Sequence, residues 1–241
     1  MREYDAAEAP VPRINLPRRL AAEAVGTAGL LVSVVGSGIM GEQLAGGNVA
    51  IALLANSLAT GFALFVLISV FGDISGAHLN PVVTFADYLV HRRSAGESGL
   101  YVGAQIGGGF AGVAVSNVMF GLPGVFVSER VRSGTGLWVS EVLATFGLLL
   151  VIQVLARRQP AIVAVAVGAY IAGAYWFTSS TSFANPAVTL ARMATNTFTG
   201  IRPVDAPAFI VAQFVGALIA IAFASWMDPV RREPEKSPAG R

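Results

Sequence analysis

Residues 75–89 read SGAHLNPVVTFADYL, and residues 181–194 read TSFANPAVTLARMA. Each stretch has a short polar lead-in, then Asn-Pro, then about three turns of helix-compatible residues. Asn80 and Asn185 are strong helix N-caps. Pro81 and Pro186 sit where a missing N–H costs nothing, at the first helical position. Each motif therefore predicts the start of a short helix, and the two Asn lie 105 positions apart, one in each half of the chain.

The surroundings of these motifs are apolar. Of the 241 residues 54% are hydrophobic and 12% charged, and the mean hydropathy is +0.66. That is roughly half the charge of a soluble domain. The apolar residues fall in blocks long enough to cross a bilayer, which takes about 20 residues. They predict six spans, at residues 21–40, 50–71, 100–120, 137–155, 161–177 and 208–226. The Pro-rich residues before the first block carry no clear cleavage site, so that block reads as a span and not a secretion signal.

Arginine sets the expected orientation. With the N-terminus inside, Arg13, Arg18, Arg19, Arg92, Arg93, Arg157, Arg158, Arg231 and Arg232 are cytoplasmic, and Arg130, Arg132, Arg192 and Arg202 lie opposite. Nine against four follows the positive-inside rule and predicts cytoplasmic termini. The net charge of +2 reflects this bias and gives no reason to expect a nucleic-acid partner. There is no cysteine, hence no disulfide framework or thiol chemistry. The expected organisation is a tail at 1–18, one membrane domain at 19–227 and a second tail at 228–241.

Two further features repeat with the Asn-Pro motifs. Residues 21–31 (AAEAVGTAGLL) and 139–150 (VSEVLATFGLLL) place Glu23 and Glu141 at the start of the first and fourth spans. Residues 104–108 (AQIGG) and 212–217 (AQFVGA) place Gln105 and Gln213 in the third and sixth. The order Glu, Asn-Pro, Gln occurs twice. Three spans per half make the halves, about 19–120 and 137–227, enter the membrane from opposite faces. An inverted repeat of this kind places its site near the midplane. Residues 80–91 and 185–195 are too short to span, about 16 Å at 1.5 Å per residue. They predict re-entrant half-helices whose N-termini face each other. The loops at 72–79 and 178–184 then line a pore, since non-helical backbone at that depth must be buried in protein or face a cavity.

SGAHLNPVVT, SFANPAVT and the paired Glu and Gln resemble the aquaporin and aquaglyceroporin (major intrinsic protein) family over about residues 18–227. Residues 174–192, AYWFTSSTSFANPAVTLAR, resemble its bacterial arsenic-resistance-associated subgroup. The resemblance implies an all-α membrane protein with six transmembrane helices and two re-entrant half-helices, assembled as a homotetramer with one pore per subunit. It implies that Asn80, Pro81 and Val82 face Asn185, Pro186 and Ala187 at the pore centre. Each Asn amide, its oxygen held by backbone N–H groups, then donates to a passing solute. Glu23 and Glu141 are expected to hold the loops; the competing reading is a proton relay. Gln105 and Gln213 fit interhelical hydrogen bonding. His78 has two readings, a pH gate or a loop brace, and His91 reads as a surface residue.

Water-selective members carry Arg three residues after the second Asn, a slot held here by Val188. Counting from the Asn residues gives the other filter positions as Thr60, Ser182 and, on the fifth span, Gly173 or Ile171. With Gly173, no bulky ring or charge is present, which predicts a filter wider and less polar than a water-only pore. Arg192, one turn beyond Val188, has two readings: positive charge at the outer mouth, or a snorkelling arginine. The functional expectation is a passive channel in a bacterial cytoplasmic membrane for water, glycerol-like polyols and neutral arsenite or antimonite hydroxides. No metal, cofactor or catalytic constellation is expected, and membrane lipid is the expected surrounding. The competing class is a proton- or ion-coupled secondary transporter.

Overall fold

The computed structural model describes residues 14–91 and 93–227. Arg13, Arg92, Arg231, Arg232 and most of both expected tails lie outside the described residues. Eight α-helices follow in order: α1 Leu16–Leu44, α2 Val49–Ser75, α3 Pro81–His91, α4 Ala95–Met119, α5 Thr135–Arg158, α6 Val163–Phe177, α7 Pro186–Ala191 and α8 Ala206–Met227. Six are apolar and long enough to span, counting with α6 and α8 the single 3₁₀ turns that precede them. These are the six expected spans. The short α3 and α7 are the two half-helices.

Two boundaries differ from expectation. α1 starts inside the expected tail because Asn15 caps it, accepting from the Arg18 N–H at 3.2 Å, with Pro17 in the first turn. α2 runs on to Ser75, and Gly76 closes it with a φ of 90° that a side chain would resist.

The packing repeats the sequence symmetry. α1 packs on α4 and α2, and α5 packs in the same way on α8 and α6, while α2 and α6 join the halves. Glycine sets how closely these helices approach. A Cβ on Gly108 or Gly112 would lie 2.1 or 2.3 Å from the carbonyl oxygens of Ala24 or Ala28 on α1. One on Gly216 would lie 2.4 Å from the Val142 oxygen on α5, and one on Gly61 would lie 2.8 Å from the Gly168 oxygen on α6. In a bilayer, close backbone approach of this kind does much of the work of helix association. Exposed apolar side chains such as Ile51, Phe62 and Val66 on α2, or Val211 and Leu218 on α8, leave an outer surface suited to lipid.

Candidate functional site

The chains that lead into α3 and α7 meet at the Asn pair. Asn80 Oδ1 accepts from the Val82 N–H at 3.0 Å, and Asn185 Oδ1 accepts from Ala187 and Val188 at 2.9 and 3.2 Å. The side-chain nitrogens then cross. Asn80 Nδ2 donates to the Ala184 carbonyl and Asn185 Nδ2 to the Leu79 carbonyl, both at 2.8 Å. An amide nitrogen carries two protons, so each Asn keeps one N–H for whatever occupies the lumen.

Several loop residues are strained. Ala77, Leu79, Thr181, Ser182 and Ala184 have φ between 45° and 63°, a region costing about 1–2 kcal/mol for each non-glycine residue. The buried glutamates hold these loops. Glu23 accepts from the His78 and Leu79 amides at 2.9 and 2.7 Å, from Ser75 Oγ at 2.6 Å and from Gln105 Nε2 at 2.8 Å. Glu141 accepts from the Phe183 and Ala184 amides at 2.9 Å and from Gln213 Nε2 at 2.6 Å. Bonds to a carboxylate contribute about 1.5–3 kcal/mol each, enough to offset the strain. Both glutamates have their oxygens turned to loop donors, the geometry of a brace.

The brace continues through threonines that the sequence reading did not single out. Gln105 donates to Thr84 Oγ1 and Gln213 to Thr189 Oγ1, both at 2.9 Å, and the hydroxyls donate to the Asn80 and Asn185 carbonyls. Thr84 and Thr189 have the same 105-residue separation as the Asn pair, a signal that was available. His78 lies with Nδ1 3.1 Å from Thr84 Oγ1 and its ring 5.5 Å from that of Tyr101. His91 is exposed and pairs with Asp87 at 2.8 Å.

A narrow cavity of ≈ 70 Å³ passes the Asn pair, room for a single file of about five waters at roughly 10–15 Å³ each. The loops bring polar side chains to it, Asn80, Asn185 and Ser182 among them, and the helices bring mostly aliphatic ones, with Leu30 and Val34 from α1, Leu64 from α2 and Leu148 from α5. At the α3 side, by His78, the lumen meets a larger cavity of ≈ 440 Å³.

At the α7 side the lumen is lined by Thr60, Ser182, Val188, Ile171 and Tyr175. Gly173 is exposed on the other face of α6, which corrects the first of the two expected positions. Two residues along a helix turn about 200°, whereas Ile171 and Tyr175 are one turn apart on one face. Tyr175 also corrects the expectation of a ring-free constriction. Its hydroxyl lies 3.2 Å from Thr60 Oγ1, holding the phenol against α2. Ser182 Oγ is buried and has no protein partner among the described residues.

Arg192 is 2% exposed and lines the lumen beyond Val188. Its guanidinium stacks on Phe183 at 3.4 Å from the ring centre, and Nε donates to the Thr199 carbonyl. This burial sets aside the snorkelling reading. The sequence reading attached no role to Arg132, in the loop between α4 and α5, which approaches the same ring at 5.0 Å. Burial and then the neighbouring Arg130 lower the Arg132 pKa to about 10, which leaves it protonated at neutral pH.

Three comparisons with known proteins agree. The major intrinsic protein family profile matches residues 11–162. The aquaglyceroporin AqpS of Rhizobium meliloti (strain 1021) is 46% identical over 230 residues, covering 93% of this chain and 98% of that protein. Aquaporin NIP3-1 of Oryza sativa subsp. japonica is 33% identical over 170 residues, covering 68% of this chain and 54% of the rice protein. The X-ray structure of the aquaglyceroporin from Plasmodium falciparum superposes with a TM-score of 0.71 at 22% identity, covering 90% of this chain and 98% of that one; at that identity it speaks for the fold alone. With the family profile on more than half its length, six apolar helices and the duplicated Asn-Pro loops, this chain is an integral membrane protein and belongs to the major intrinsic protein family.

Proposed function

We propose that the chain is a passive channel for small uncharged hydroxylated solutes, glycerol-like polyols among them, together with water. The observation that carries this reading is the mixed lining of the lumen. The loops offer an amide N–H from each of Asn80 and Asn185 and the unpartnered Ser182 hydroxyl, and the helices offer mostly aliphatic side chains. A polyol has the same mixture of hydroxyls and C–H groups. In a single file it exchanges water for the polar side chains without burying unpaired hydroxyls, whose desolvation costs about 1–3 kcal/mol each. Neutral arsenite and antimonite hydroxides are compact and covered in hydroxyls, so the same lining accommodates them. A pore without cysteine has no thiol to trap them.

In this reading Thr60, Tyr175, Ser182 and Val188 form the filter. Uncharged Val188 keeps the aperture open, and the Thr60–Tyr175 contact draws the phenol aside. His78 braces its loop through Thr84. The protein sits in a bacterial cytoplasmic membrane as a homotetramer with both termini inside, and each subunit has its own pore.

The test is solute entry into proteoliposomes with and without an imposed proton gradient. A passive channel gives glycerol and arsenite fluxes that are linear in concentration and indifferent to the gradient. Saturable uptake that requires the gradient and disappears in Glu23→Gln would establish the competing coupled transporter.

A further inference from the structure

We propose that Arg132 and Arg192, gathered at the ring of Phe183, form a two-arginine electrostatic barrier that excludes cations at the α7 mouth while leaving the aperture open to neutral solutes. The inference rests on the channel reading above and assigns cation exclusion to a pair of residues on different segments.

The geometry is specific. Both guanidiniums lie within 5.0 Å of the Phe183 ring centre, so the two charges are less than about 10 Å apart, within one Debye length at 0.1 M salt. Planar guanidiniums suit an aromatic face. Backbone carbonyls fix them there. Arg132 donates to Gly200 at 2.8 Å and to Ser180 and Phe198 at 3.4 Å, and Arg192 donates to Thr199. Carbonyls orient the groups without cancelling their charge. Among the described residues no carboxylate forms an ion pair with either. Of the nearby acids, Asp205 pairs with Arg202 and accepts the Arg132 backbone N–H, while Glu141, turned to the Phe183 and Ala184 amides, is felt by both arginines, so two guanidiniums stand against one carboxylate and the mouth keeps a net positive charge. Arg130 is paired with Glu42.

The opposite mouth shows that this excess is local. Asp87 occupies the position 105 residues before Arg192, but it is paired with Arg93 at 2.6 Å. Arg192 lines the lumen, and Arg132, outside that lining but at the same Phe183 ring, adds to the field there; net positive charge at a narrow lumen raises a barrier to cations and favours the oxygen end of a neutral solute. Val188 does not need to carry a charge if Arg192, one turn further out, and Arg132 supply it.

The test uses full-length protein in proteoliposomes, with proton leak read by an enclosed pH dye under a potassium diffusion potential and glycerol flux read on the same vesicles. Wild type is expected to pass glycerol with proton leak at the lipid background. Arg132→Gln is expected to raise the leak at least about tenfold with glycerol flux within about twofold of wild type, and Arg132→Lys to stay near background. Glycerol flux certifies folding. If Arg132→Gln does not assemble, Arg192→Gln, its assembly checked by size-exclusion chromatography, decides on the proton leak alone. A leak unchanged in the assembled Gln variant, or already high in wild type, overturns the barrier. Absence of glycerol flux in wild type overturns the channel reading instead.

Discussion

The loop and half-helix that end in α3 and those that end in α7 share a frame and differ at their ends. A shift of 105 carries Ser75 to Ser180, Asn80 to Asn185, Pro81 to Pro186, Val83 to Val188 and Thr84 to Thr189. It also carries the positive-φ positions Gly76, Ala77 and Leu79 onto Thr181, Ser182 and Ala184. What the halves share is the apparatus that presents the Asn pair: a buried Glu, a Gln, a Thr and a strained loop. They differ where the lumen opens. His78 and Asp87 stand on one side, and Phe183 and Arg192 on the other. α3 keeps 11 residues, while α7 keeps six and tightens into the 3₁₀ turn Arg192–Ala194. The frame positions the Asn pair, and the ends differ in chemistry.

The largest effects should come from breaking the frame. Glu23→Ala and Glu141→Ala each leave two strained loop amides and a Gln amide without a carboxylate, a loss of about 4 kcal/mol or more. Thermal unfolding in detergent should show a similar loss for both; a large drop for one and none for the other would break the equivalence of the halves. Next is the seam between them. Gly61→Ala puts a Cβ 2.8 Å from the Gly168 carbonyl and should cost about 1–3 kcal/mol in the same assay. Gly173→Ala, whose Cβ would meet only Phe177 at 3.9 Å, should change stability by less than about 0.5 kcal/mol and leave glycerol flux unaltered. Altered flux in Gly173→Ala would return that residue to the filter. The link from each Gln to its helix lies between these two glycines in effect. Thr84→Val and Thr189→Val should each cost about 1 kcal/mol, in matching amounts.

Much of this was legible because it is written in repeats and in helix chemistry. Asn-Pro announces a capped helix wherever it occurs, and a duplicated Glu and Gln at matching places announce paired braces. The six spans followed from apolar block length. The α6 filter position was not legible in the same way. It was reached by counting back through 178–184, a loop whose αL residues shorten its path, and the count left Gly173 and Ile171 open; only Ile171 lies on the lumen face, and Tyr175, one turn on, was not named. Arg132 was hidden for a different reason. It sits in a loop far from both motifs in sequence, and only the fold brings it to Phe183. The Thr pair was hidden by neither; it has the Asn spacing and was simply not counted.

The most direct test is stopped-flow light scattering on proteoliposomes, comparing water and glycerol flux in wild type and Val188→Arg. The account predicts that wild type passes both, and that the arginine narrows the aperture, cutting glycerol flux at least about tenfold while water flux stays within about threefold. A wild type that passes water alone, or a Val188→Arg variant with glycerol flux unchanged, would contradict it.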